Sequence, residues 1–192
     1  RGRQFAARHA EGIFTISPDL PAMQNYYKDI KNRAVSEGRR ESDVAVLTGI
    51  FPIVGSSPAA AEEKYEQLVE LATAEAGLAW ISGYACYNFA QVPLETKLSA
   101  LDPDNFKGIQ SIFELTMATS EEAARKTPFL RAYPYIEEPT VRDLCIANAQ
   151  SIVPKVVGTA DQVADQLLQI VDEEGSDGFM FSTVYMPGSV DE

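Results

Sequence analysis

The sequence predicts an α/β fold built on a parallel sheet. Three observations carry this. Short β-branched and aromatic runs alternate with segments of helical periodicity. The second such run is apolar almost without a break, as in strands covered on both faces. Capping and stop residues stand where the helical segments should begin and end. Strand–helix–strand units of this kind cross over right-handed.

The spacing predicts a first helix from about Gly2 to Ala10, with Phe5, Ala6, His9 and Ala10 on one face and Gly12 ending it. GIFTIS follows as a short buried strand. Ser17 is then expected as a helix cap, with Pro18 at the first helical position. Leu20, Met23, Tyr27, Ile30 and Ala34 give the buried stripe of that helix, and Gly38 closes it. Asp43 to Gly55, DVAVLTGIFPIVG, reads as a second strand with Pro52 near its end. Ser57-Pro58 repeats the start signal, for a helix running to about Ala76 with Glu62 and Glu63 early in it.

Residues 77–154 lose this rhythm. They hold WISGYACYNF, several prolines and two short helical stretches, one of them opened by a Thr119-x-x-Glu122 capping box. The interval is longer than a strand–helix connection needs, so it is read as an insertion between scaffold segments 1–76 and 155–192. The rhythm returns with a Thr159-x-x-Gln162 capping box and a stripe of Val163, Leu167, Ile170 and Val171. Gly175 stops the helix, and GFMFS is a third strand. Three strands alone would leave long apolar edges open to aggregation, so further strands are expected.

Composition narrows the function. At 192 residues, 45% hydrophobic and 23% charged, the chain suits one globular domain. A formal net charge of −12 disfavours a nucleic-acid partner. No apolar run reaches the roughly 20 residues that span a bilayer, and none reads as a charged-then-apolar leader. Cys86 and Cys145 are far apart and form neither a disulfide framework nor a zinc motif. That usage fits a reducing, cytoplasmic setting. His9 is the only histidine, so a His-rich metal site is excluded and a Ser-His-Asp triad would rest on it alone. Glu62, Glu63, Glu121, Glu122 and the run Asp172 to Glu174 read as solvated helix faces.

Four motifs then become specific by their order: Phe5 to Glu11 (FAARHAE), Val157 to Leu167 (VGTADQVADQL), Gly175 to Phe179 (GSDGF) and Tyr185 to Gly188 (YMPG). With the long insertion between them, they resemble the flavin-dependent bacterial-luciferase-like monooxygenases. The closer resemblance is to the branch of nitrilotriacetate and dibenzothiophene-sulfone monooxygenases, over essentially the whole chain. It implies a (β/α)8 barrel, the strands here being the sixth to eighth and Arg1 falling just after the fifth. The chain would then be the C-terminal portion of a longer enzyme, with catalytic residues upstream of Arg1 and no turnover of its own.

The resemblance further implies reduced FMN supplied by a separate flavin reductase, with oxygen and a small organic substrate of aminopolycarboxylate or sulfur-heterocycle type. It also implies a homo-oligomeric full-length enzyme. Its flavin phosphate would sit where the fifth strand enters the first helix. Of that loop only Arg1, Gly2 and Arg3 are present; Gly2 permits close backbone approach and either arginine offers a charge, unless they are simply a solvated basic helix start. His9 would be structural, at the helix–barrel contact. Trp80, Tyr84, Tyr87 and Phe89 would either line a water-excluding lid or give the insertion a core of its own. Tyr185, Met186 and Pro187 follow the last strand and would face the flavin, with Tyr185 the candidate contact, or else simply pack and stiffen the turn.

Two rivals stand beside this reading. One is a truncated, non-catalytic remnant or partner-binding module that docks its open sheet edge. GIFTIS and AVLTGIFPIV carry none of the charged substitutions such a remnant should show. The other is a luciferase-like oxidoreductase that uses a deazaflavin.

Overall fold

In the computed structural model, which describes residues 1–102, 127, 129–131 and 136–183, the first half contains helix α1 (Gly2–His9), strand β1 (Gly12–Thr15), helix α2 (Leu20–Ser36), the long strand β2 (Ala45–Val54), and helices α3 (Pro58–Glu70) and α4 (Ala74–Ala85). The second half contains a two-residue strand β3 (Leu130–Arg131), helix α5 (Val141–Ala149), strand β4 (Lys155–Gly158), helix α6 (Ala160–Asp172) and strand β5 (Gly178–Phe181).

Strand β2 organises the sheet. β1 pairs in parallel with its first half, Gly12 opposite Ala45 and Thr15 opposite Thr48. β5 pairs in parallel with its middle, Leu47 opposite Gly178 and Ile50 opposite Phe181. β4 pairs in parallel with its last four residues, Phe51 opposite Lys155 and Val54 opposite Gly158, and β3 lies antiparallel on β4. Backbone groups of successive strand residues point to opposite edges. The Val46 and Ile50 carbonyls accept from Asp177 and Ser182 on the β5 side. The Ala45, Phe51 and Gly55 N–H groups donate to Glu11, Pro154 and Gly158. By this alternation β1 and β4 occupy the same edge of β2 in succession. Pro52 falls on the other edge, just beyond the last β5 hydrogen bond, so its missing N–H costs the ladder nothing.

The expected helix signals are partly displaced. α2 is capped by Asp19, whose Oδ1 accepts the Ala22 N–H at 2.8 Å, and not by Ser17, which is buried. A carboxylate at the helix start is the stronger acceptor, and Pro21 in the first turn needs no N–H partner. Gly38, at φ +78°, closes α2 in the left-handed conformation. Ser57 caps α3 as its sequence signals, but the helix stops at Glu70 and does not reach Ala76. Thr73 accepts the Ala76 N–H and starts α4 as a separate helix. Thr159 and Gln162 make the reciprocal capping box of α6. The Thr119-x-x-Glu122 signal lies outside the described residues.

Two buried clusters join helices to the sheet. Ile30, Ala34, Val44, Val46 and Ile13 pack together, with Ala6 of α1 and Ala10 just after it against them. Leu20, Met23, Ile50, Val156, Val163 and Ile170 form the second, with Phe179 at its margin. The α2 stripe is therefore as read from spacing. On α1, by contrast, Ala7 is the buried residue, while Phe5 is 70% exposed and His9 is exposed, their rings 4.8 Å apart. The small alanines let α1 lie close against α2, which turns the expected Phe5–His9 face away from the sheet.

The third cluster stands apart from the strands. Ala74, Ile81, Ala85, Phe89, Leu98, Val141, Leu144 and Cys145 fill the space between α4, α5 and the chain around residues 89–101. At Gly77 the helices touch: a Cβ there would lie 1.6 Å from the Cys145 carbonyl oxygen. Burial pushes the Cys145 thiol up to about 11, so it behaves as a small apolar group.

One partly buried polar knot ties the scaffold. Lys31 Nζ, on α2, donates to the carbonyls of Glu41 (3.1 Å) and Val44 (2.7 Å) and to Asp177 Oδ2 (2.8 Å). Asp177 Oδ2 also accepts the Val46 N–H at 2.7 Å, and its Oδ1 accepts the Tyr27 hydroxyl at 3.0 Å. Burial and the Asp177 carboxylate push the Tyr27 phenol up to about 12.

Two outcomes follow. Asp177→Ala, which strands the Lys31 ammonium and the Val46 N–H, lowers unfolding free energy by roughly 3 kcal/mol in urea titrations. Gly77→Ala forces α4 and α5 apart and costs about 1–3 kcal/mol or more by the same measurement.

Candidate functional site

β1, β2 and β5 are parallel, so their C-terminal ends share one end of the sheet. Only Ala10 and Glu11 separate α1 from β1, so α1 runs back along the strand and begins at that same end. Its N-terminus has no side-chain cap on Arg1 and no acidic residue in the first turn. The first-turn N–H groups lack helical acceptors and carry the positive end of the helix dipole. A side chain at Gly2 would meet no other atom of this chain within 4 Å. These features fit a phosphate-bearing group. Arg3 is otherwise engaged: its guanidinium bonds Asp29 at 3.1 Å and lies 4.9 Å over the Tyr26 ring. Against the upward push of burial, the Arg3 and Arg33 guanidinium groups hold the Asp29 carboxyl below its ordinary value.

The expected aromatic group is divided. Trp80 and Tyr84 are stacked on one face of α4, ring centroids 5.0 Å apart, with Trp80 58% exposed. Phe89 is fully buried in the cluster between α4 and α5, and Tyr87 packs edge-on against it at 4.9 Å. Tyr185, Met186 and Pro187 lie outside the described residues. His9, in the last turn of α1, is at the far end from Gly2.

A cavity of about 190 Å³ opens beside the C-terminal half of β2. Phe51 and Ile53 form its floor, Tyr65, Leu68 and Val69 of α3 one wall, and residues 149–151 after α5 another; Lys155 and Thr183 complete it. Lys155, at the start of β4, is 6% exposed. Its Nζ donates to the Ser151 carbonyl at 2.7 Å and stands 5.9 Å from the Phe51 ring centroid. Ser151 itself holds φ at +68°, an uncommon conformation for a residue with a side chain. Burial alone pulls the Lys155 ammonium down to about 8. Burial also pushes the Tyr65 phenol above its ordinary value, against the pull of Arg131. Neither Lys155 nor Tyr65 stood out in the sequence. The available signal was a single charge inside the apolar run VPKVVG. Among the described residues, no cluster of three His, Cys, Asp or Glu side chains could hold a metal ion, and no helix is long and apolar enough to cross a membrane.

Residues 1–177 match the family model described as luciferase-like monooxygenase. Dibenzothiophene-sulfone monooxygenase of Rhodococcus erythropolis is 30% identical over 194 residues, covering 100% of this chain and 40% of that protein. Nitrilotriacetate monooxygenase component A of Aminobacter aminovorans is 30% identical over 193 residues, covering 100% of this chain and 39% of that protein. The crystal structure of DmoA from Hyphomicrobium sulfonivorans superposes with a TM-score of 0.73 at 29% identity, covering 100% of this chain and 37% of that one. The chain thus spans about two fifths of the length of these relatives. Its sheet is part of a (β/α)8 barrel, as expected, with two short strands, β3 and β4, that the sequence did not signal.

Lys155 generates a pH-dependent outcome. Its folded pKa of about 8 lies below the ordinary lysine value of 10.5, so the unfolded chain binds more protons between those values and stability rises with pH across that window. Lys155→Met removes the desolvated charge and loses one hydrogen bond. It should raise stability at neutral pH by about 2 kcal/mol, with the difference shrinking from pH 8 to 10.5 in thermal or urea unfolding.

Proposed function

We propose a function from one premise: the chain belongs to the luciferase-like monooxygenase family. The protein that carries it is a flavin-dependent monooxygenase. It takes reduced FMN from a separate flavin reductase and uses oxygen to oxidise a small organic substrate. The observation that carries this reading is the family match over residues 1–177. The reductase follows from the relative named as a component A, a name that implies a second component.

When bound, reduced flavin supplies the electrons and the site at which oxygen is activated. This chain's residues supply position. The α1 N-terminus, with Gly2 open beside it, would hold the phosphate through backbone N–H groups. Arg3 adds positive charge there while its bonds to Asp29 and Tyr26 fix α1 to α2. Trp80 and Tyr84 give the insertion an exposed apolar surface suited to excluding water from the mouth. The relatives' names divide over substrate: one is a sulfone of an aromatic heterocycle, the other a tricarboxylate.

Binding of photoreduced FMN under anaerobic conditions tests the reading. The full-length protein that carries this chain should bind it saturably and, with a flavin reductase and NADH, consume oxygen in a substrate-dependent way, whereas this chain alone should show no turnover. Gly2→Glu places a carboxylate where the phosphate would lie, yet suits a helix start. It should weaken reduced-FMN binding by roughly tenfold or more at unchanged helicity. No saturable binding by the wild-type protein, or undiminished binding by the variant, would overturn the assignment of that site.

A further inference from the structure

Among the described residues two lysines are buried to the same degree, Lys31 and Lys155, each 6% exposed. Lys31 is fully accounted for: two carbonyls and the Asp177 carboxylate take its three protons. Lys155 has one acceptor, the Ser151 carbonyl, and among the described residues no carboxylate lies within ion-pair distance of it. Two of its donors are left to the cavity it lines. A buried ammonium with spare donors is costly unless a counter-charge completes it.

The charges around the cavity do not supply one. Arg131 is the residue directly opposite Lys155 across the β3–β4 ladder, and like charges so placed repel. The only carboxylate described beside them, Glu62 on α3, pairs with Arg131 at 3.3 Å. Tyr65, also on α3, is neutral, since its phenol is raised above its ordinary value. The remaining walls are apolar or uncharged. The space is about 190 Å³, room for several waters or an organic group of similar bulk.

We propose that this cavity binds a small organic acid, its carboxylate held by the Lys155 ammonium and its apolar body lying against Phe51 and Tyr65. The cavity lies on the C-terminal half of β2, towards the end of the sheet where barrel enzymes bind their substrates. That the acid is the substrate, or the part of it that sets specificity, rests on the monooxygenase reading. That it binds does not. Among the substrate types the relatives' names suggest, the site favours the carboxylated one.

The test uses benzoate, its neutral isostere benzamide and inorganic phosphate as probes, by calorimetry on the purified protein without flavin. Benzoate should bind saturably, with a dissociation constant in the millimolar range or tighter, and benzamide roughly tenfold more weakly or worse. Lys155→Met should bring benzoate down to the benzamide level and leave benzamide binding intact, which also reports that the cavity is still formed. In the wild-type protein benzoate affinity should hold steady below pH 8 and fall as pH rises above it, as the free ammonium titrates. Equal binding of benzoate and benzamide, or benzoate binding unaffected by Lys155→Met, overturns the proposal. So does phosphate binding as tightly as benzoate, which would mark a general anion site. Because no flavin is present, failure here leaves the monooxygenase reading standing. Failure of reduced-FMN binding with benzoate binding intact would do the reverse.

Discussion

The Lys31–Asp177 pair is the constraint on which the rest of the scaffold depends. It bridges residues 146 positions apart in sequence. It fixes three things at one point: the middle of α2, the entry of β2 through the Val44 carbonyl and Val46 N–H, and the turn that launches β5. Hydrophobic packing alone would allow β5 to slide along β2, because Phe179 and Ile50 make non-directional contacts. The carboxylate accepts from Val46 N–H at one register only, so the pair converts a greasy fit into a unique alignment. It also places the acidic residue of the GSDGF segment in a structural role, in a sequence where acidic residues are otherwise mostly surface charge.

Much of this scaffold could be read from the chain before any coordinates. The α2 stripe, the Ser57 cap and the Thr159–Gln162 box are local signals, decided by neighbours within a turn, and they stand as read. What failed was decided over distance. Asp19 and not Ser17 caps α2 because the helix begins at Leu20, which puts residue 19 at the cap position. Phe5 and His9 share helical spacing, but the face of α1 that packs is chosen by how closely α2 approaches, and alanines allow the closer approach. β4 and β3 were missed because each is a few residues long and exists only by pairing with β2 or with each other. The candidate site was less legible still. Gly2 could be named from its position in a pattern, whereas Lys155 acquires meaning only when α3, α5 and β2 close around it. Phe89 belongs with Leu144 and Cys145 for a similar reason: sequence proximity to Trp80 says nothing about which side of a helix pair a ring will fill.

The α4–α5 body and the scaffold follow different rules of assembly. The scaffold joins strands and helices through two clusters and a polar knot. The α4–α5 body is held by close helix contact at Gly77 and by a core of its own, and it meets the sheet through the short β4 ladder and the cavity walls. The cavity at Lys155 lies at that seam. A ligand there would touch the scaffold at Phe51 and the end of α5 at Ser151 together, so occupancy of the cavity bears directly on how firmly the two bodies are joined.

The handover along β2, with β1 on one edge for its first half and β4 on the same edge for its second, has a consequence for how such a sequence can drift. Substitutions between Thr48 and Phe51 alter side chains one at a time. A single-residue insertion or deletion in that interval would turn the N–H of every later residue to the opposite edge. β4 would then meet the side occupied by β5, and the proline would fall into the middle of a ladder. This short interval is therefore closed to changes of length, whatever its side chains tolerate, a rule that a comparison of gap positions among related chains would display.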